Sequence, residues 1–407
     1  MIRSQVQSDS CLQAAPEGLC CPACGSADLT DFFNIPSLPV HVGVLWNTQD
    51  EARSAPRGEI TLSYCHGCGF VYNREFEPDK MWFDSEYEVA LRHSEMFRNF
   101  MENLARRLID RYQLGGKKVI EIGCGAGYFL RLLAKLGGVH GIGFDKSVSQ
   151  VGCEQVGRGS VEFVREYFSK KYADLQAELL CCLSVFEDVP QPSEFLIDLR
   201  KIIGPRPMNI YFEIFNAWRA IQQQETWSIH YEQCNYFGLE SFACLFEQCG
   251  FDVIEAAGCY GNDQYIYVEA TARADWQPSA SRLPMERREL PDEIADFSAI
   301  HQQKIVSWKQ RLEQFQQENK RVVVWGSGGK GISFLNALPS EGRIEYVVDI
   351  NPDRQEKYLP GTAQKVVAPE FLVQYKPDAI ILTNILYEEE IRQQVAALEI
   401  ESEFLSA

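Results

Sequence analysis

Two regions of the chain alternate short apolar runs with amphipathic runs. The first region, residues 95–270, begins with FRNFMENLARRLIDRYQL, in which apolar residues recur at steps of three and four, as on one face of a helix. The apolar runs KVIEIGCG, VHGIGFD, AELLCCLSVF and MNIYFEIFN follow, separated by helix-like runs such as YFLRLLAKLG and EFLIDLRKII. This alternation predicts an α/β fold with a parallel sheet covered on both faces.

The second region starts with a long helix predicted over residues 294–319 and continues with RVVVWGSGGKGISFLNAL, IEYVVDINP and DAIILTN. Between the two regions, residues 271–293 are polar, contain three prolines and show no periodicity. The pattern therefore predicts a cysteine-bearing module over residues 1–90, a core over 91–270, a linker over 271–293 and a Rossmann-like domain over 294–407.

Composition and charge narrow the classes of protein. Apolar residues make up 45% of the 407 residues, enough for several cores, and no run of about 18 apolar residues predicts a membrane span. The N-terminal segment lacks the hydrophobic stretch of a secretory signal. The net charge of −18 argues against nucleic-acid binding, which needs a basic face. We expect a cytoplasmic monomer or homodimer with a small-molecule substrate and neither a nucleic-acid nor a membrane partner.

Two C-x-x-C pairs lie within the first 90 residues, in CPAC and CHGC. Four thiolates suit tetrahedral Zn²⁺, and four protein ligands close the site, so the metal would be structural. A set of buried free thiols is the alternative, and His66, inside the second pair, could replace one cysteine. The predicted ligands are Cys21, Cys24, Cys65 and Cys68.

A glycine-rich turn follows the first core strand in KVIEIGCGAGYFLRLLAKLG. The glycines allow close approach of a ligand to a helix N-terminus, but Glu121 would repel a diphosphate and attract the charged end of S-adenosylmethionine. Asp145, after the next strand, is placed to accept ribose hydroxyls. A simple tight turn would not need both acids. The predicted donor-binding residues are Glu121, Gly123, Gly125, Gly127 and Asp145, with Tyr167 and Phe168 near the adenine.

The E-x-G-x-G-x-G…D arrangement resembles class I methyltransferases. The order of a four-cysteine module, this core and a C-terminal glycine-loop domain resembles the sugar C-methyltransferases of deoxysugar biosynthesis, over about residues 20–400. Similar stretches are CPACGSADLTDFFNIPSLP, VFEDVPQPSEFLIDLRKII, EIFN and VVWGSGGKGISFLNAL. The resemblance implies a class I methyltransferase core flanked by a zinc-binding module and a C-terminal Rossmann-like domain, with S-adenosylmethionine and structural zinc as cofactors and a nucleotide-linked keto sugar as substrate.

The stretch WSIHYEQCNYFG (227–238) is similar to the segment of the family that holds its catalytic residues. The family reads approximately Y-H-E-H-x-x-Y-F-S there, and the second histidine is the expected base. This chain has His230 at the leading tyrosine and Gln233 at the second histidine, so the family's mechanism does not carry over intact. The predicted catalytic residues are His230, Tyr231 and Glu232, and packing is the alternative role for them. The predicted substrate contacts are Glu213, Asn216, Gln233, Tyr236 and Lys330.

The second glycine loop, followed by Asp349, has dinucleotide-like spacing, which is weak on its own. Lys330 and the amides of 326–331 are predicted to receive a phosphate of the substrate carrier, and a turn that only shapes the interface is the alternative. Tyr87 and His93 are predicted to close over the donor. The patterns predict an S-adenosylmethionine-dependent methyltransferase, and the resemblance implies C-methylation of a nucleotide-linked keto sugar or a related small metabolite. Oxygen or nitrogen methylation in a natural-product pathway is the alternative. A silent scaffold and a nicotinamide oxidoreductase are further alternatives.

Overall fold

The computed structural model describes residues 20–83, 87, 91–277, 287–338 and 343–407. Within these residues the strands form three sheets of four, eight and five strands. The N-terminal 19 residues, including Cys11, lie outside the described part of the chain. None of the helices in the described part has the length and apolarity needed to span a lipid bilayer.

The first sheet joins the cysteine-bearing module to residues 235–236 of the core. Its strands are β1 (Leu29–Pro39), β2 (Arg57–Cys65), β3 (Val71–Asn73) and β10 (Asn235–Tyr236), in that order. A short helix, α1 (Gln49–Arg53), lies between β1 and β2 and is capped by Thr48. Because β3 pairs antiparallel with β10, residues 235–236 complete a sheet of the module rather than of the core.

The central sheet forms the core. Its strands are β4 (Lys118–Ile122), β5 (His140–Phe144), β6 (Gly152–Val156), β7 (Gly159–Val164), β8 (Leu179–Leu183), β9 (Asn209–Phe215), β11 (Phe251–Cys259) and β12 (Tyr265–Ala272). The helices of this region are α2 (Glu95–Tyr112), α3 (Tyr128–Gly137), α4 (Pro192–Ile203), α5 (Ala217–Gln222) and α6 (Leu239–Gln248).

The strand order is β11-β12-β9-β8-β4-β5-β7-β6. Strands β7, β5, β4, β8 and β9 run parallel, whereas β12 lies antiparallel between β9 and β11. This arrangement confirms the predicted Rossmann-like class I methyltransferase core. The order reverses at β4, whose neighbours are β5 and β8, and ligands of open α/β sheets bind at such a switch point.

The third sheet is the predicted C-terminal Rossmann-like unit. Its strands are all parallel, in the order β15 (Lys365–Val367), β14 (Tyr346–Val348), β13 (Val322–Trp325), β16 (Ala379–Leu382) and β17 (Glu403–Ser406). The accompanying helices are α7 (Asp292–Gln317), α8 (Gly329–Ala337), α9 (Leu372–Tyr375) and α10 (Glu388–Ala397). Helix α7 begins directly after Pro291, two residues before the predicted start. The backbone of Pro291 is extended, so the helix starts at the next residue.

The apolar core runs from the cysteine-bearing module into the central sheet without a break. Cys65 and Cys68 belong to the same buried cluster as Phe186 and Phe237. The rings of Phe70, next to the second cysteine pair, and Phe237 lie 4.6 Å apart. The module therefore packs against Phe186 and Phe237 of the core and shares one apolar cluster with it.

Candidate functional site

The first glycine turn lies between β4 and α3 at the switch point of the central sheet. Gly127 begins the helix with φ of 76°, and a Cβ there would lie 2.2 Å from the ring of Phe163, so only glycine fits. Asp145 follows β5, and its carboxylate accepts hydrogen bonds from the amides of Gly125 (2.8 Å) and Ser147 (2.7 Å). The predicted acid of the second strand therefore lies directly against the predicted glycine turn.

Three buried glutamates meet at the carboxyl ends of the parallel strands. Glu121 is near the end of β4, Glu213 near the end of β9, and Glu187 lies in the turn after β8; their exposed fractions are 4%, 2% and 6%. Each has one carboxylate oxygen, Oε2, without a hydrogen-bond partner in the described part of the chain. Buried polar atoms normally have partners, so these oxygens mark a place prepared for a ligand.

Burial also perturbs the acidity of the three glutamates. It raises the pKa of Glu187 to about 7 and that of Glu213 to about 8. It raises the pKa of Glu121 well above the usual value, and the negative charges of Asp145 and Glu213 add to that rise. Burial and neighbouring carboxylates thus disfavour the ionised form of these glutamates, and a cationic ligand would stabilise it. We refer to these four acidic residues as the acidic crevice.

The predicted adenine contacts lie beside Asp145. The ring of Phe168 packs edge-on against Phe144, with 5.1 Å between centroids. Tyr167 is 64% exposed and lies 5.2 Å from the ammonium group of Lys146. Phe168 therefore has a packing role in the sheet, and Tyr167 is the exposed aromatic ring at this edge.

The acceptor segment, residues 227–238, is fastened to the acidic crevice. The thiol of Cys234 contacts the carbonyl oxygen of Glu187 at 3.6 Å, and the Asn235 amide donates to the carbonyl of Val189 at 2.6 Å. Because Glu187 lies in the turn after β8 and Val189 directly follows it, the acceptor segment lies beside the predicted donor site. The structure thus brings the acceptor segment to predicted donor residues that are about 60 to 120 positions away in the sequence.

His230 is half-buried in the acceptor segment and faces the C-terminal domain. Burial lowers the pKa of its imidazole, and its Nδ1 has no hydrogen-bond partner among the described residues. It faces Gly329 at the start of α8, where a Cβ would lie 3.1 Å from Nδ1. The imidazole is therefore neutral at pH 7 and can accept a proton.

Tyr231 and Glu232 occupy different environments. The Tyr231 ring packs against Gly58, where a Cβ would lie 2.1 Å away, and its hydroxyl accepts the Glu77 amide at 2.7 Å. Both the ring and the hydroxyl of Tyr231 are therefore engaged in packing within the core of the module. Glu232, 3% exposed, contacts a different group of residues.

The Glu232 carboxylate is held by residues from two other segments. Its Oε2 accepts the Val42 amide at 2.9 Å, and its Oε1 accepts the hydroxyl of Tyr87. His41 Nδ1 lies 3.8 Å from Oε2. Burial raises the pKa of Glu232, but His41, Tyr87 and the Val42 amide outweigh it and hold the pKa below the usual value. Glu232 is therefore ionised at neutral pH.

Two predicted substrate contacts of the acceptor segment bind their own backbone. The Gln233 amide donates to the carbonyl of Asn235 at 3.0 Å, and the Tyr236 hydroxyl donates to the carbonyl of His230 at 2.9 Å. Both side chains are buried. These bonds shape the segment that presents His230.

The remaining predicted contacts also have partners within the chain. Asn216 caps α5 by accepting the Arg219 amide at 3.1 Å. The ammonium group of Lys330 lies 2.6 Å from the carboxylate of Glu225, which also contacts Arg219 at 3.0 Å. The charge of Lys330, which we expected to face a phosphate, is thus neutralised in the structure.

The second glycine loop is joined to polar side chains of its own domain. The Ser327 amide donates to Asp349 at 3.0 Å, and Arg354 Nε donates to the Ser327 hydroxyl at 2.7 Å. Arg354 also donates to the carbonyl of Val42 at 3.0 Å, whose amide binds Glu232. The loop therefore connects the C-terminal domain to the acceptor segment.

The four predicted zinc ligands form one cluster. Their sulfur atoms all lie within 4.8 Å of one another, with 3.7 Å between Cys21 and Cys68 and 3.5 Å between Cys24 and Cys65. A tetrahedron with Zn–S bonds of about 2.3 Å has edges of about 3.8 Å, so the cluster fits zinc. Both ring nitrogens of His66 are engaged, with Thr30 (2.8 Å) and the Arg288 carbonyl (2.7 Å), so it is not positioned as a ligand.

Sequence reasoning missed three residues of this region: His41, Glu187 and Asp188. Glu187 and Asp188 stand in the VFEDVP stretch that carries part of the resemblance, so their position after the fourth core strand was an available signal. Nothing in the local sequence marks His41, because its role depends on packing across three segments. Tyr87 was predicted to close over the donor and instead contacts Glu232. His93, which was also predicted to close over the donor, has an Nε2 without a hydrogen-bond partner within the described chain.

Family models match two parts of the chain. Residues 93–256 match a methyltransferase domain, and residues 284–406 match the C-methyltransferase C-terminal domain. The chain therefore contains a methyltransferase domain. More particularly, it carries the C-terminal domain that the second family model describes for C-methyltransferases.

Two curated relatives each match less than a third of the chain. A mitochondrial ubiquinone biosynthesis O-methyltransferase of Schizosaccharomyces pombe is 25% identical over 134 residues, 31% of this chain and 48% of the relative. The corresponding protein of Pasteurella multocida is 26% identical over 126 residues, 26% of this chain and 52% of the relative. The chain thus spans about half the length of the curated relatives it matches.

Solved structures match weakly over less than half of the chain. Magnesium protoporphyrin IX methyltransferase from Synechocystis PCC 6803, with bound S-adenosylmethionine, is 17% identical, with 44% of this chain and 80% of that chain covered and a TM-score of 0.31. A methyltransferase from Aquifex aeolicus is 14% identical, with 44% and 98% covered and a TM-score of 0.31.

Proposed function

We propose that this protein transfers a methyl group from S-adenosylmethionine to a carbon atom of a small metabolite, with a nucleotide-linked keto sugar as the first candidate. One observation carries the proposal: Glu121, Glu187 and Glu213 each have a carboxylate oxygen without a hydrogen-bond partner in the described chain, and their charges couple to one another and to Asp145 beside the glycine turn. A diphosphate would meet unfavourable charge there, whereas a sulfonium with its ammonium group meets favourable charge.

The residues of the acidic crevice fit such a donor. The bound donor would supply a methyl group on positively charged sulfur, which is displaced by a nucleophile in line with the leaving sulfur. Asp145 is placed to accept ribose hydroxyls at the tip of β5, and the glycine turn admits the donor close to the backbone. The acids hold the positive charge and the sheet fixes its position, so alignment contributes a large part of catalysis.

The acceptor segment supplies the base that carbon methylation requires. A carbon next to a carbonyl must lose a proton before it attacks, and the resulting oxyanion must be stabilised. His230 is a neutral imidazole, and its Nδ1 has no hydrogen-bond partner among the described residues. We assign proton removal to His230. The single hydroxyl proton of Tyr87 is donated to ionised Glu232, so we assign the Glu232–Tyr87 pair to shaping the acceptor site. The match of residues 284–406 to the C-methyltransferase C-terminal domain supports carbon as the nucleophile.

A second candidate is methylation of oxygen or nitrogen. Gln233 replaces the histidine expected as base, and its amide is bound to the Asn235 carbonyl, so it cannot take a proton. The two curated relatives are O-methyltransferases by name. The pairing of Lys330 with Glu225 also weakens the case for a carrier that bears a phosphate. An acceptor without a diphosphate is therefore compatible with carbon methylation and with oxygen or nitrogen methylation.

Calorimetry tests the donor half of the proposal. S-adenosylmethionine should bind wild-type protein, and Glu121→Gln and Asp145→Asn should each weaken binding by roughly tenfold or more, since each removes a charged hydrogen-bond acceptor. Glu162→Gln is the matched control, because Glu162 is an exposed carboxylate on β7 of the same sheet. If the wild-type protein bound diphosphate nucleotides but not the methyl donor, the proposal would be wrong.

Solvent exchange separates carbon from heteroatom chemistry. In deuterium oxide with candidate keto sugars, carbon chemistry should exchange the hydrogen next to the ketone even without the donor, and His230→Ala should abolish the exchange. His140→Ala controls for loss of an imidazole, because His140 is exposed at the amino end of β5, opposite the strand ends that form the crevice. Methyl transfer without any exchange would favour oxygen or nitrogen.

We also propose that the four-cysteine cluster binds one structural zinc ion. The support is the tetrahedral size of the cluster and the engagement of His66 elsewhere. Metal analysis of purified protein should give about one zinc per chain. A folded protein without metal would contradict this assignment.

A further inference from the structure

Three consecutive residues of the module support the Glu232–Tyr87 pair. The Val42 amide donates to Glu232 at 2.9 Å. Gly43 lies under the ring of Tyr87, where a Cβ would be 2.3 Å from the ring, so the ring can lie there only because residue 43 has no side chain. His41, the third member, has its Nδ1 3.8 Å from the Glu232 carboxylate. These residues belong to the module, not to the methyltransferase core.

The ring of His41 is fixed in one orientation. It is 4% exposed and lies edge-on to Trp82, with 4.0 Å between ring centroids and an interplanar angle of 70°. The Trp82 amide donates to His41 Nε2 at 3.4 Å. Because Nε2 accepts, the proton of the neutral ring is on Nδ1, which faces Glu232. No other partner of Nδ1 exists in the described part of the chain.

Glu232 needs such a donor because its surroundings disfavour its charge. The carboxylate is 3% exposed and shares the interior with Asp188, whose pKa is raised by burial and by the negative charges of Glu187 and Glu232. An isolated buried carboxylate in this position would take up a proton and turn into a donor itself. Its hydrogen bond from the Tyr87 hydroxyl would then lose its charge assistance.

We propose that His41 is a positioning residue that keeps Glu232 ionised and directed at Tyr87. The 3.8 Å contact needs to shorten by only about 1 Å to become a charge-assisted hydrogen bond. This assignment rests on the proposed function, because it gives the Glu232–Tyr87 pair a purpose in acceptor chemistry. It also explains how a second imidazole reaches the acceptor segment although position 233 is glutamine.

The first test needs no acceptor. In protein labelled with ¹⁵N-histidine, six imidazoles are observed, and His41→Asn assigns the His41 signals by their loss. The expected spectrum has the proton of His41 on Nδ1, in contrast to the Nε2 form that free histidine prefers, with a strongly downfield proton. Glu232→Gln should move this proton upfield and leave His140 unchanged. A His41 signal of the Nε2-protonated form, or one insensitive to Glu232→Gln, would overturn the proposal.

The second test uses the pH dependence of turnover once an acceptor is known. Removing the donor with His41→Phe should raise the acidic limb of the kcat/KM profile by about one pH unit, and His41→Asn, which keeps an N–H near Nδ1, should restore most of it. An unchanged limb in His41→Phe would refute the role. Failure of donor binding by calorimetry would reject the proposed function but leave the NMR result standing. The titratable groups facing Glu232 are His41, Tyr87, His230, Glu187 and Asp188.

Discussion

The acidic crevice makes a quantitative prediction about how donor binding depends on pH. In the protein without donor, burial raises the pKa of Glu187 to about 7 and that of Glu213 to about 8. A bound sulfonium favours the ionised carboxylates, so their pKa values fall on binding and protons are released. The affinity for S-adenosylmethionine should therefore increase with pH over the range in which these groups are protonated.

The size of the effect follows from the two pKa values. If the donor requires ionised Glu213, the dissociation constant rises about tenfold for each pH unit below 8, which is about 2.7 kcal/mol at pH 6. Glu187 adds a further factor of about ten at pH 6 if it must also ionise. Between pH 5.5 and 7.5 the affinity should thus change at least about 100-fold.

Calorimetry in buffers of different ionisation enthalpy measures both quantities. At pH 6.5 about one proton or more should be released per donor bound. S-adenosylhomocysteine is the control ligand: it has the same amino group but no sulfonium, so its affinity should depend less steeply on pH. Glu213→Gln should reduce the proton release by about one and remove most of the Glu213 contribution. An affinity independent of pH, without proton release, would refute the electrostatic reasoning.

Three further predictions concern other parts of the molecule. Because the raised pKa of Glu213 favours the protonated folded protein, that stabilisation is lost as pH rises through about 8; Glu213→Gln should raise the melting temperature of donor-free protein at pH 8.5 but not at pH 5. Lys330→Met should remove one of the two ion pairs of Glu225 and lower the unfolding free energy by about 3 kcal/mol or more in urea titrations, whereas Lys330→Met with Glu225→Gln should recover part of it. Chelation of zinc should perturb the acceptor segment through the β3–β10 pairing before it perturbs the central sheet, so hydrogen exchange should increase first at Asn235 and Tyr236.

The repeated alternation of apolar and amphipathic runs was sufficient to predict the two Rossmann-like units. Parallel strands buried on both faces leave a strong signal, and β4, β5, β8 and β9 lie where KVIEI, HGIGF, LLCCL and NIYFEIF predicted them. The cysteine spacing identified four thiols that meet in space. The acid before the glycine turn and the acid after the next strand were also recognised, because both sit at fixed positions relative to a strand end.

The tertiary structure alone decided how the acceptor segment is built. Glu232 is held by His41, Val42 and Tyr87, which come from the module and lie about 145 to 191 positions away in the sequence. Pairing of β3 with β10 depends on the folding of both the module and the core, and no local pattern specifies it. The same holds for Lys330, whose charge the sequence assigned to a ligand but whose partner is Glu225. Local periodicity is written along the chain, whereas the pairing of buried charges depends on which segments the completed fold brings within a few ångströms of each other.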